Sequence, residues 1–296
     1  MILPKLSGET IIAEKKAKYL IIIPTYNRRD DLRETIRSMP FLQDSEEFKL
    51  VVVDDRSTDG TAEMLREQFP FVDIIRNEQQ TGPAAGRNKA AFSYDAEYYI
   101  FLDSDIEVPA DWPEVIRKHL SPQRVLAGKV VNLYSKEVET GPRRSTFIGG
   151  SVPCTPEQAN VGSSCHMVVP AACFRAIKGF DEEIPYYFED SDLSIRANKA
   201  GYRVTFIDEA VVYHKNQGHK RGKRIQMHVQ NRTYAMSKAY EKNPLKLSAF
   251  FIINSVWVFL QSVLRIVKME FSDSLYILKG WVSGNRKFLR RLAHNH

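Results

Sequence analysis

The sequence predicts an α/β protein with a mostly parallel central sheet, helices on both of its faces, and a helical extension at the C-terminal end. Three observations predict it. Short β-rich apolar runs alternate with segments of helical period through the first hundred residues, the pattern of repeated βα units. Each apolar run gives way to a polar loop, where open α/β sheets carry their chemistry. Beyond residue 224 the alternation stops and long amphipathic stretches replace it.

The elements follow in order. YLIII (19–23) reads as a strand, ended by the turn chemistry of Pro24, Thr25, Tyr26 and Asn27. Asp30 is placed to cap a helix over about 31–39, in which Leu32, Ile36 and Met39 share a face until Pro40 stops it. KLVVV (49–53), the loop DDRSTDGT and a helix carrying Ala62, Leu65 and Phe69 repeat the unit. A strand at 71–75, a helix from about Ala85 to Tyr94 and a strand at 98–102 come next. Another strand is expected at 125–131, and the Gly-, Pro- and Ser-rich passage 141–164 reads as a mobile loop or a solvated connection. An apolar run and a short helix ending at Gly179 follow. Glu189, Asp190 and Asp192 open a helix with Leu193, Ala197 and Ala200 on one side, and VTFIDEAVVY forms the strand before His214.

Charge is unevenly spread. The net charge is +6, but residues 215–296 alone carry +13, which leaves −7 for residues 1–214. An acidic body argues against a duplex-binding surface covering the whole protein, while the basic tail can meet nucleic acid, anionic lipid or phosphorylated substrates, and no nucleic-acid partner is expected. Cys154, Cys165 and Cys173 form no C-x-x-C pair, so neither a disulfide framework nor a Cys-rich zinc site is expected. The polar segment 1–18 has no apolar core of a secretory signal, and a cytoplasmic setting is expected.

Candidate chemistry sits in the loops. Asp103 and Asp105 follow the strand at 98–102 and, at i and i+2, would share one face of it, with Ser104 pointing away. Such a pair can hold a hard divalent cation, or can cap the turn and helix that Pro109, Asp111 and Trp112 introduce. Asp54 and Asp55 can accept hydrogen bonds from a base or ribose, or cap the next helix with Ser57 and Asp59. Gly82 to Gly86 keep the backbone approachable before Arg87, whose guanidinium suits a carbonyl edge or a diphosphate if it is not simply a surface arginine. No G-x-G-x-x-G or P-loop pattern occurs.

IIIPTYNR, VVVDDRSTDGT, TGPAAGRNKA, FLDSD and GFDEEIPYYFEDSDLSIRANKAGY, in this order over about residues 18–216, resemble the family 2 glycosyltransferases. The resemblance implies the GT-A fold, a Rossmann-like sheet, over a catalytic domain at 19–224. It also implies inverting, metal-dependent transfer of a sugar from a nucleoside diphosphate of UDP or dTDP type to a hydroxyl of a glycan or lipid-linked glycan, as in cell-surface polysaccharide or glycolipid synthesis. Pro24, Thr25, Tyr26, Asp54, Asp55, Arg87, Asp103 and Ser104 would line the donor site. Asp105 would be the direct ligand of Mg²⁺ or Mn²⁺, with Asp103 and His214 as partners, although Asp103 can instead contact the donor ribose. Asp190, beside Glu189, would be the catalytic base, kept ionised by the start of its helix.

The extension 225–296 contains LSAFFIINSVWVFLQSVL (247–264), 18 residues without a charge, between Lys246 and Arg265. That is short for a span of ~20 apolar residues. The expectation is a helix on an anionic membrane surface at the cytoplasmic face, or a helical hairpin packed on the enzyme itself or on a second copy of the chain through 245–268. The run 215–224, with five Lys/Arg and His219, can cover a diphosphate or a phosphorylated acceptor, or form a solvated face. A nucleotidyltransferase and a non-catalytic binding protein are the competing classes; pyrophosphate release would mark the first, and loss of the acidic clusters the second.

Overall fold

The computed structural model describes residues 17–215 and 221–294. Residues 1–16 of the polar N-terminal segment, and residues 216–220 of the basic run with His219, lie outside the described residues.

Strands β1 (Ala17–Thr25), β2 (Phe48–Asp54), β3 (Asp73–Arg76) and β4 (Ala96–Leu102) alternate with helices α1 (Arg29–Arg37), α2 (Thr61–Gln68) and α3 (Pro83–Ser93). They form a parallel half-sheet in the order β3-β2-β1-β4, with Ile22 opposite both Val51 and Phe101. Period-two alternation sends Tyr19, Ile21 and Ile23 into one core with Leu32, Ile36 and Trp112, and Leu20 and Ile22 into another with Ala84, Ala90 and Phe174. Because both faces are covered, β1 is an unbroken apolar run, and each such side chain contributes roughly 1.5–3 kcal/mol by its burial.

The second half-sheet is mixed. It contains β5 (Ile106–Glu107), β6 (Arg124–Asn132), β7 (Val138–Thr140), β10 (His166–Pro170) and β11 (Arg203–His214), while β8 (Arg143–Ser145) and β9 (Ser151–Pro153) form a separate hairpin. The expected mostly parallel arrangement extends past the first four strands, since β6 and β11 run in the same direction as β4, and it is interrupted where β10 inserts antiparallel between β4 and β6. β11 runs parallel to β6, and its end pairs antiparallel with β5, setting His214 opposite Ile106. That register carries His214 to the end of β4. Helices α4 (Trp112–His119), α5 (Ala171–Ala176) and α6 (Glu189–Lys199) complete the layers.

Local capping differs from expectation at α1. The helix starts at Arg29, before Asp30, and its first N–H is taken by Asp59 of the next loop, whose Oδ2 accepts from Arg29 N at 2.9 Å. Asp30 pairs with Arg29 and Arg33 instead.

The chain closes with α7 (Arg221–Tyr240), α8 (Pro244–Val267) and α9 (Phe271–His294). Gly280 and Gly284 let α9 lie close on α7: an added Cβ would stand 2.5 Å from the carbonyl oxygens of Gln226 and Gln230 respectively. α8 is tied to α7 by buried Arg232, which donates to Asn254 Oδ1 at 2.9 Å and lies over the Trp257 ring. Tyr234, Met236, Phe250 and Phe288 share a core with Ile184 and Phe188, so the helical layer packs directly on the loop that leads into α6.

Candidate active site

The ends of β1, β2, β4 and β11, the start of α6 and the first turns of α7 surround one cavity of about 760 Å³. Pro24, Thr25, Tyr26, Asp55, Arg87, Asp103, Ser104, Asp105, Glu189, Asp190 and His214 all line it. Of the residues singled out in the sequence, Asp54 is the exception. Its carboxylate is fully buried, accepts from Ser57 N at 2.8 Å and pairs with Arg76 at 3.4 Å, so it closes the turn after β2 rather than facing the cavity. Asp55, one residue on, points the other way, as alternation at a strand end requires. Its Oδ1 accepts from Asn77 Nδ2 and Thr81 N, each at 2.9 Å, and its Oδ2 from Gly82 N at 3.0 Å. Gly82 sits at φ +83, a left-handed backbone that glycine adopts without penalty.

Asp103 and Asp105 do not leave a common strand face. β4 ends at Leu102, so Asp103, Ser104 and Asp105 form a turn in which the i, i+2 rule no longer applies, and Ser104 meets the cavity as well. The two carboxylates are engaged separately. Asp103 Oδ1 accepts from Arg87 Nη2 at 2.7 Å. Asp105 lies 3.1 Å from Arg28 Nη1 and 3.3 Å from His214 Nε2, while His214 Nδ1 is 2.6 Å from Glu139 Oε2 on β7. Burial works against ionisation of Asp105, but His214 and Arg28 outweigh it and hold the carboxyl below its usual value. Burial likewise pulls the His214 imidazole down, yet its bonds to Asp105 and Glu139 push it up to about 9.

The expected metal set of Asp105, Asp103 and His214 is therefore not assembled as three ligands: no group of three His, Cys, Asp or Glu side chains among the described residues is arranged to hold an ion. Asp105 Oδ1 and His214 Nε2 do converge, and an oxygen–imidazole pair fits a Mg²⁺ or Mn²⁺ site that takes its other ligands from substrate phosphate and water. Asp103 Oδ1 is bonded to Arg87.

Across the cavity, α6 begins abruptly. Tyr187 and Phe188 both have positive φ, 57° and 82°, which costs non-glycine residues energy and persists only where surroundings enforce it. Here the buried Phe188 ring and Asn231 of α7 enforce it: Asn231 Nδ2 donates to the carbonyls of Tyr186 at 2.6 Å and Tyr187 at 3.1 Å. Glu189 approaches Arg87 Nη1 at 3.6 Å and Ser164 Oγ at 3.5 Å, and Asp190 Oδ1 accepts from Ser191 N at 2.6 Å. Burial raises the carboxyls of both Glu189 and Asp190, which works against the ionisation of Asp190 that the helix start is expected to favour. Asp192 faces away, toward Arg196 and Lys238.

Arg87, only 2% exposed, joins the two acidic groups. Four buried polar atoms on this wall, Thr25 Oγ1, Arg87 Nε and Nη1, and Glu189 Oε2, have no hydrogen-bond partner among the described residues. Buried polar atoms are costly to leave unpaired, so a polar ligand is the natural complement of this wall. The sequence reading missed Arg28, Glu139, Arg143 and His228 as lining residues. Arg28 lies within PTYNR and could have been found there; Glu139 reaches His214 across 75 positions, and no local pattern announces it. Of the basic run, Arg224 lines the cavity, whereas Lys215 turns to Glu34.

Comparison with known proteins gives a consistent picture. The family described as Glycosyl transferase family 2 matches residues 20–182. The chain is 27% identical over 213 residues to a pre-mycofactocin glycosyltransferase of Mycobacterium tuberculosis, covering 67% of this chain and 42% of that protein. It is 23% identical over 200 residues to glycosyltransferase AglE of Haloferax volcanii, covering 66% of each. The chain thus spans less than two thirds of the length of these curated relatives. Among solved structures, a mannosyltransferase of Pyrobaculum calidifontis in complex with GDP-Man and Mn²⁺ is similar at a TM-score of 0.59 and 17% identity, over 92% of this chain and 88% of that one. TarS residues 1–349 of S. aureus in complex with UDP is similar at a TM-score of 0.55 and 20% identity, over 79% and 70%. These likenesses show a shared GT-A fold.

Proposed function

The chain belongs to glycosyl transferase family 2, and from that premise we propose that it moves a sugar from a nucleoside diphosphate sugar of UDP or dTDP type to a hydroxyl of a glycan or lipid-linked glycan, inverting the anomeric carbon. The observation that carries this reading is a single cavity with a convergent Asp105–His214 pair on one side and Asp190 on another. Thr25, Asp55 and Arg87 bind the nucleotide and its phosphates, using the unpaired donors of Arg87 and the fixed carboxylate of Asp55. Asp105 and His214 would hold Mg²⁺ or Mn²⁺, which would offset the charge of the diphosphate leaving group. Asp190 accepts the proton of the acceptor hydroxyl while that oxygen forms its bond to the anomeric carbon and the bond from that carbon to the phosphate oxygen breaks. Attack opposite the leaving group inverts the centre.

Burial and Asp190 push Glu189 up, and burial raises Asp190 as well, so both carboxyls hold a proton more readily than free acids and Asp190, once ionised, is a stronger proton acceptor than a free aspartate. Solved structures of the same fold, bound to GDP-Man with Mn²⁺ and to UDP, support a nucleotide-sugar donor. Three free cysteines support a reducing, cytoplasmic setting.

A thermal-shift screen of nucleoside diphosphate sugars with Mn²⁺ tests the donor assignment, since a ligand that binds the native state raises its melting temperature. We expect stabilisation by a uridine or thymidine diphosphate sugar, lost on chelation and reduced in Asp105→Ala. A flat response across uridine, thymidine and guanosine diphosphate sugars would overturn it.

A further inference from the structure

The outer face of α8 is apolar without interruption. Between residues 249 and 267 every exposed residue is aliphatic or aromatic, including Ile252 at 68%, Phe259 at 65% and Val267 at 74% exposure. The face continues through the turn with Met269 and into α9 with Phe271, Leu275, Leu278 and Val282, whose spacing of four, three and four keeps them in one stripe. Single exposed apolar residues are ordinary; a patch running over two helices marks a surface that is covered in use.

We propose that this two-helix face docks on an anionic lipid bilayer, lying in its interface and not crossing it. α8 is long and apolar enough to cross a membrane by length and composition, but its inner face is committed to protein. Buried Asn254 and Ser262 sit there, and Arg232 of α7 donates to Asn254, so a lipid-surrounded α8 would strand a buried guanidinium.

Charge selects the partner. Exposed Lys242, Lys246, Lys268, Lys279, Arg286 and Arg290 border the apolar face, and the only acids from 244 to 294 are Glu270, paired with Arg265, and Asp273, which is buried. On α9, Arg286 and Arg290 enter no ion pair among the described residues and, with Lys287 and Arg291, line a groove of about 670 Å³ beside α7. A second copy laid face to face would set two basic rims against each other, whereas an anionic leaflet offers hydrocarbon to the apolar face and phosphate to the rim. α7 lies against α9 and carries Arg224 and His228 into the reaction cavity, so one helix layer separates the docked surface from the site. The inference stands on the surface alone and does not depend on the proposed reaction.

The test is flotation of the full chain with phosphatidylcholine vesicles, with and without phosphatidylglycerol. Two double variants are compared, Phe259→Ser with Val263→Ser and Arg286→Ser with Arg290→Ser, with folding checked by circular dichroism and oligomeric state by sedimentation velocity. We expect about tenfold or stronger preference for the anionic vesicles and about tenfold weaker binding in each folded variant. If the serine pair on α8 does not fold, the arginine pair on the surface carries the test. No flotation with anionic vesicles, or flotation unchanged in a folded variant, overturns the proposal. A dimer that Phe259→Ser dissociates, without vesicle binding, overturns it in favour of a second copy. Sugar transfer to a soluble acceptor by a chain that ignores vesicles would reject the docking and leave the reaction intact.

Discussion

Single residues here are set by what burial leaves them to pair with. Adjacent aspartates 54 and 55 differ completely in fate because alternation at the end of β2 turns one toward Ser57 and Arg76 and the other toward Asn77 and Gly82. His166 beneath the site is a purely structural case: its Nε2 accepts from Trp112 Nε1 at 2.8 Å and its Nδ1 faces the Lys129 carbonyl at 3.4 Å, which fixes the neutral ring. Burial lowers it to about 4 from an ordinary 6.5. The unfolded chain therefore binds a proton below about 6.5 that the folded chain refuses. Its contribution to stability is complete above that value and is lost as pH falls toward 4, with a slope of at most about 1.4 kcal/mol per pH unit. Urea titrations between pH 7 and 4 should show this slope reduced in His166→Gln; an unchanged slope would show that other groups produce it.

At the scale of elements, the site depends on α7 holding the strained entry to α6. Asn231→Ala removes both hydrogen bonds to the Tyr186 and Tyr187 carbonyls while leaving the donor wall untouched. We expect kcat to fall about tenfold or more with little change in donor KM, because the variant would misplace the proposed base Asp190 and not the proposed nucleotide wall. A donor KM effect with unchanged kcat would contradict this role. Close packing of α7 on α9 is a second dependence. Gly280→Val places a branched Cβ against the Gln226 carbonyl and should destabilise the fold by about 1–3 kcal/mol, read as a lower denaturation midpoint. Elements of this kind were legible unevenly in the sequence. The units β1 to β4 announced themselves through period and turn residues, since covered strands and amphipathic helices leave strong local patterns. The antiparallel insertion of β10 left none, because HMVVP reads the same whichever way it runs.

For the whole molecule, the cavity is assembled by contacts that no short motif contains. Asp103, Asp105 and Asp190 could be singled out because acidic residues at strand and helix ends are chemically suggestive. Their partners were harder to see: Arg87 had to be known to reach both Asp103 and Glu189, and Glu139 to reach His214 across the β6–β7 connection. A strand-face argument for Asp103 and Asp105 likewise cannot see the arginine that bonds one of the two carboxylates. Thr25, Asp55 and Arg87, the Asp105–His214 pair and Asp190 all face one space, and the proposed function assigns them the nucleotide, the cation and the base in turn. The most direct measurement is nucleoside diphosphate release with the anomeric configuration of the product determined by NMR, for the wild-type chain and a folded Asp190→Asn variant. The account predicts an inverted product from the wild type and at least a ~100-fold loss of turnover with donor binding retained in the variant; a retained configuration, or full turnover without the Asp190 carboxylate, would contradict it.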